Sequence, residues 1–82
     1  MQFSVPNNNN KPDMQRLIDE YGNNLLRMCY LYLHDLQLAE DAMQDTYIKV
    51  YQNWNQFKGS SSEKTWITSI AINVCKSHLR SR

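Results

Sequence analysis

Cys75 and His78 stand three residues apart, a spacing that on a helix can turn two metal ligands to one side. Two ligands do not make a site, and the chain contains neither a CxxC pair nor an HExxH segment. The second histidine, His34, falls at the end of a helical stretch, where capping is the simpler role. A Gly-rich phosphate loop, a nucleophile elbow and a paired-carboxylate arrangement are all missing. The chain is therefore read as a non-enzyme with no catalytic residue, no metal and no cofactor. The chemistry that does accumulate is ionic. Asp35, Glu40, Asp41 and Asp45 against Lys49 give residues 35–52 a charge of −3. Lys58, Lys64, Lys76, Arg80 and Arg82 against Glu63 give residues 58–82 a charge of +4, although the whole chain of 82 residues carries only +1. Such segregation predicts two kinds of partner, one meeting each end of the domain.

The elements that position these groups follow from periodicity. Residues 1–12 hold four consecutive asparagines between two prolines and read as a flexible polar tail. A helical domain then covers residues 13–82. Met14, Leu17, Ile18, Tyr21, Leu25, Met28, Cys29 and Tyr32 recur at helical spacing, with Pro12 in the first turn and an end near Leu33. "HDLQ" is the break, with Asp35 as N-cap of a second helix whose inward stripe is Ala39, Ala42, Met43, Thr46, Tyr47, Val50, Tyr51 and Trp54. "NWNQFKGSSS" reads as a loop, and Ser60 and Glu63 have capping-box spacing. Trp66, Ile67, Ile70, Ala71, Val74 and His78 then face inward on a third helix. No strand signal appears. The fold class is all-α: a compact bundle of three main helices with short loops.

No apolar run approaches the roughly 20 residues that span a bilayer, so no membrane insertion is expected. The start, "MQFSVPNNNNKP", has neither a basic n-region nor an apolar h-region. Cys29 and Cys75 do not suggest a disulfide framework. A cytoplasmic location is the expectation.

Two surfaces stand out. On the second helix, Ile48 falls opposite the core stripe, ringed by Asp41, Gln44, Asp45 and Gln52. An apolar anchor with a polar rim is how a small interface is built; cover by the tail or a neighbouring loop is the other explanation. On the third helix, Thr65, Ser69, Ile72, Asn73, Lys76, Leu79 and Arg80 form a second face. Its cations can neutralise phosphates, and its Asn and Ser can bond base edges or sugars. The loop Lys58–Ser62 precedes it, with Trp54 and Phe57 just upstream. Charge beside aromatic rings suits single-stranded nucleic acid, although such rings are more often core, and the helix dipole alone favours cations at a C-terminus.

From about Leu17 to Arg82 the sequence resembles the polymerase-binding, promoter-melting domain of bacterial sigma factors of the extracytoplasmic-function type. "HDLQLAEDAMQDTYIKVY" looks like that family's acidic helix, "NWNQF" follows at the family's spacing, "TWITSIAINVC" resembles its Trp-hydrophobic, Ile-Ala-x-Asn stretch, and a basic end, "KSHLRSR", closes the match. The resemblance implies that Asp41, Gln44, Asp45 and Ile48 dock on a coiled coil of the largest subunit of core RNA polymerase. It implies that Lys58, Gly59, Ser60, Ser61 and Ser62 form the loop that holds a base flipped from the nontemplate strand of the minus-ten promoter element. It implies that Ser69, Asn73, Lys76 and Arg80 meet the same DNA strand, and that an anti-sigma protein is a partner. Two positions depart from the family: Ile72 stands where a basic residue is common, and Ser77 where an acidic one is. The chain ends at Arg82, so the expectation is an isolated domain without the helix-turn-helix domain that reads the minus-thirty-five element. On this reading the acidic and basic faces serve separate partners on opposite ends of the domain. The alternative is a helical protein–protein adaptor without a nucleic-acid role.

Overall fold

The computed structural model describes residues 11–57 and 61–81. Helix α1 runs Met14–Leu33, α2 runs Leu36–Gln52, a single 3-10 turn covers Trp54–Gln56, and α3 runs Glu63–Arg80. Each long helix packs on the other two. This is the three-helix, all-α architecture that the periodicity predicts, and no strand occurs among the described residues.

Local chemistry fixes each helix start. Asp13 Oδ1 accepts from the Arg16 amide at 3.2 Å, Asp35 Oδ1 from the Leu38 amide at 3.0 Å, and Ser62 Oγ from the Thr65 amide at 3.0 Å. Each satisfies one of the backbone donors that a helix leaves unpaired at its N-terminus. Two sequence expectations are corrected here. Pro12 lies before the N-cap Asp13 rather than in the first turn. The cap of α3 is Ser62, so Glu63 is the first helical residue, one position from the cap instead of three. His34 does cap α1: it takes the left-handed conformation at φ 58°, and its amide donates to the Tyr30 carbonyl at 2.7 Å. That geometry ends the helix and lets α2 start two residues later.

The core forms two connected clusters. One joins Leu17, Leu25, Tyr47, Val50, Ile67 and Ala71, with Trp54 and Trp66 packed against it. The other joins Cys29, Leu33, Ala39, Ala42, Val74 and Cys75. Thr46, fully buried on α2, returns its hydroxyl to the Ala42 carbonyl at 2.8 Å. Cys29 and Cys75 are free thiols, both fully buried and neighbours across α1 and α3. Burial pushes the Cys29 thiol up to about 12 and raises Cys75 as well, so both are uncharged core groups at neutral pH. The predicted stripes err at their edges. Ile18 and Tyr51 are exposed, while Leu33 and Cys75 are buried.

Gly22 sits within α1 and faces Tyr47. A Cβ added there would lie 3.7 Å from the Tyr47 hydroxyl oxygen, an ordinary contact. Gly22→Ala is therefore expected to stabilise the domain by up to about 1 kcal/mol. Thermal melts should show a Tm higher by about 4–8 °C. A lower Tm would mean that the Tyr47 hydroxyl, which donates to the Leu17 carbonyl at 3.4 Å, cannot accept the methyl group.

Candidate functional site

Helix α2 presents Asp41, Gln44 and Ile48 to solvent, at positions three and four residues apart on one side of the helix. Ile48 is 53% exposed. Its side chain borders two grooves. One, of about 360 Å³, runs between α2 and α3 past Asp45, Ile48, Lys49, Ser77 and His78. The other, of similar volume, is almost wholly apolar and is lined by Met14, Tyr47, Ile48, Tyr51 and Gln52.

Asp45 differs from the rest of its predicted set. Its Oδ2 lies 2.9 Å from His78 Nε2, a bond from α2 to α3. The side chain of His78 is 22% exposed and that of Asp45 49%, so the pair sits at the edge of the groove rather than in the core. The contact runs through His78, which the periodicity predicts to face inward, and not through the outer row of cations on α3. At Asp45 and His78 the acidic helix touches the last turns of the basic one. Of the two candidate metal ligands, Cys75 is buried in the core and His78 is bonded to Asp45. Among the described residues no group of three or more potential ligands gathers.

The outer side of α3 carries Ser69, Asn73, Lys76 and Arg80, all exposed and in one row. Ser69 Oγ donates to the Trp66 carbonyl at 2.7 Å and keeps its lone pairs for an outside donor. Beside the row a shallow groove of about 470 Å³ is lined by Lys64, Thr65, Thr68, Ser69 and Ile72. Lys64 and Thr68 were not in the predicted set. Helical spacing back from Ile72, by four and by eight residues, would have found them, but neither residue type is diagnostic alone. Of the predicted loop, Lys58, Gly59 and Ser60 lie outside the described residues. Ser61 is half-buried, and Ser62 commits its hydroxyl to the α3 cap, donating also to Thr65 Oγ1 at 2.8 Å.

The two ends of this loop are held by aromatic rings and an ion pair. Phe57 stacks on Trp66 with ring centroids 5.1 Å apart, and Trp54 meets both rings at 5.4 and 5.8 Å. All three are half-buried, with Trp54 and Trp66 against the core. At the start of α3 the Glu63 carboxylate accepts both arms of the Arg16 guanidinium, at 3.0 and 2.7 Å, and the Tyr21 hydroxyl at 2.8 Å. A forked guanidinium matches a carboxylate better than a bent-back bond to a cap amide would. The Arg16 bonds hold the Glu63 carboxyl below its usual range, and the same carboxylate pushes the Tyr21 phenol up to about 12. No local pattern marks this brace, because its partners lie 47 and 42 positions away.

Among the described residues no helix is long and apolar enough to cross a membrane. Residues 17–82 match the family model described as sigma-70 region 2. The chain is similar to the RNA polymerase sigma-H factor of Pseudomonas aeruginosa, 38% identical over 66 residues, 80% of this chain and 34% of that protein. It is 40% identical over 60 residues to the ECF RNA polymerase sigma factor SigX of Bacillus subtilis, covering 73% of this chain and 31% of that one. It is 32% identical over 77 residues to the ECF RNA polymerase sigma factor SigG of Mycobacterium tuberculosis, covering 94% of this chain and 21% of that one. The chain thus spans about a third or less of the length of these relatives.

Proposed function

Because this chain belongs to the sigma-70 region 2 family, we propose that it is a transcription-initiation module, not an enzyme, that binds core RNA polymerase and recognises promoter DNA. Within that role the exposed row Asp41, Gln44 and Ile48 on α2 docks on the coiled coil of the largest polymerase subunit. Asp45 belongs to the edge of this surface and also ties it to α3. The loop Lys58–Ser62 and the outer row Ser69, Asn73, Lys76 and Arg80 take the nontemplate strand of the minus-ten element as a single strand and stabilise its melted form. An anti-sigma protein is the regulatory partner. The exposed apolar side chains Tyr30, Leu31 and Leu36 supply surface outside the two named faces for such contacts.

The observation that carries the proposal is the coexistence, on one three-helix unit, of an exposed apolar anchor with an acidic rim and a separate row of cations and hydrogen-bonding side chains. Extruding a base costs a few kcal/mol, which phosphate contacts and a pocket must offset. The stacked Phe57–Trp66 pair and the Glu63–Arg16 brace fix the two ends of the loop and so limit the ordering cost of that pocket.

Binding to a labelled single-stranded minus-ten oligonucleotide should weaken as salt rises. Lys76→Ala and Arg80→Ala should each lower the slope of log affinity against log salt by about 0.7, the value for one phosphate contact on a single strand. Fluorescence anisotropy over a salt series measures this. Binding that ignores ionic strength would reject the DNA half of the proposal and favour the adaptor.

A further inference from the structure

We propose that His78 is a positioning residue of the polymerase-docking surface: from α3 it holds the Asp45 carboxylate beside Ile48, so that this part of the rim meets its partner already in place. The proposal rests on the docking role proposed for α2.

The polar rim around Ile48 is unevenly held. Asp41 is exposed, and the bond it accepts from Gln37 Nε2, on its own helix, is 3.5 Å long, at the limit of a hydrogen bond. Asp45 is fixed from another helix, with His78 Nε2 2.9 Å from its Oδ2. A local alternative exists. Lys49 lies four residues on and lines the same groove, a spacing at which an aspartate and a lysine ordinarily pair. The carboxylate pairs with His78 instead.

His78 can hold Asp45 because its own turn is anchored. Val74 and Cys75, four and three residues before it, are buried in the second core cluster. The turn of α3 that carries the ring is therefore seated on the core. The ring is also the better covered partner, 22% exposed against 49% for Asp45. Its Nε2 donates both in the neutral tautomer protonated there and in the imidazolium. The other charged groups near the ring are Lys49 across the groove and the exposed Lys76 and Arg80 on α3; no α1 residue lines the groove. Asp45 keeps capacity for a partner, since its Oδ1 makes no hydrogen bond among the described residues. A carboxylate already held in one rotamer loses little freedom on docking, whereas an unheld one must be ordered at that moment. His78 thus acts through Asp45, without a contact of its own to the polymerase.

Binding of the chain to core RNA polymerase tests this. His78→Leu, which keeps apolar bulk without a donor, should weaken binding by roughly two- to tenfold, the range for ordering one side chain. His78→Gln, whose amide nitrogen reaches about as far as Nε2, should recover most of that loss. In an Asp45→Ala background His78→Leu should have no further effect, which a double-mutant cycle reads. In the free chain, three-bond Hα–Hβ couplings of Asp45 should report one rotamer in wild type and averaging in His78→Leu. Couplings unchanged in His78→Leu would overturn the positioning role. An equal loss of affinity with and without Asp45 would overturn it in favour of a purely structural ring. Tighter binding in His78→Leu would overturn it as well, making the ring a competitor for Asp45. Wild-type affinity in His78→Leu, with Ile48→Ala weakened, would overturn this proposal and leave docking intact. Wild-type affinity in both variants would overturn the docking role itself, and this proposal with it.

Discussion

Ile48→Ala is expected to weaken binding to core RNA polymerase by roughly tenfold while leaving the melting temperature almost unchanged. The two halves of that expectation have separate grounds. Truncation to alanine removes three carbon atoms, each contributing about 0.8 kcal/mol when fully buried. Ile48 is 53% exposed before any partner arrives, so about half of that contribution remains to be gained on docking. The loss is then somewhat over 1 kcal/mol, close to the 1.4 kcal/mol that corresponds to tenfold. The folded domain loses little, because the side chain lies outside both core clusters. Asp41→Ala on the rim should cost less and act mainly on the association rate. Surface-plasmon binding with parallel thermal melts separates these effects, and wild-type affinity in Ile48→Ala would remove the docking assignment.

The second large effect concerns the start of α3. Glu63→Gln is expected to lower the Tm at neutral pH by roughly 5–10 °C, from loss of charge-assisted bonds to Arg16 and Tyr21. Arg16 is nearly half exposed and can be rehydrated, which keeps the loss below that of a fully buried pair. The pH dependence has a definite sign. The fold lowers the Glu63 carboxyl below its ordinary 4.5, so its contribution is complete above 4.5 and disappears as pH falls through the lower folded value. Wild type and Glu63→Gln should therefore converge in Tm as the solution is acidified from 4.5 downwards. At the other extreme the Tyr21 phenol is raised from 10 to about 12, so its bond stabilises the fold below pH 10 and fails as pH rises towards 12. Ultraviolet titration should find one tyrosine moving back towards 10 in Glu63→Gln. A Tm difference that persisted unchanged into acid would place the stabilisation elsewhere.

These two sites show what kind of information a sequence carries. Ile48 was legible because a helix turns every residue through a fixed angle, so one apolar side chain among acids and amides declares its direction. The helix ends were legible for a similar reason: Asp35 and His34 act on neighbours within four residues. Ile18 and Tyr51 were misplaced because periodicity gives a direction but not the width of the neighbour that covers it. Cys75 was left off the inward stripe because its burial depends on Cys29, one helix away. The Asp45–His78 and Arg16–Glu63 bonds were hidden altogether. Each requires knowing which turn of one helix meets which turn of another, and the stripes are compatible with several such registers. Glu63 was even given a plausible local partner, since Ser-x-x-Glu is a capping signal, and a better donor fork, distant in sequence but adjacent in space, prevailed.

The Arg16–Glu63 brace also bears on how long the domain stays folded. Three consecutive helices, each started by its own cap, can assemble largely from contacts near in sequence, which favours rapid folding. The brace closes the longest of the loops described, joining the first turn of α1 to the first residue of α3, so it forms after the helices have met. An interaction absent from the transition state leaves the folding rate alone and slows only the reverse step. The brace is thus expected to act as a latch on lifetime: without it the chain should collapse as fast but open sooner.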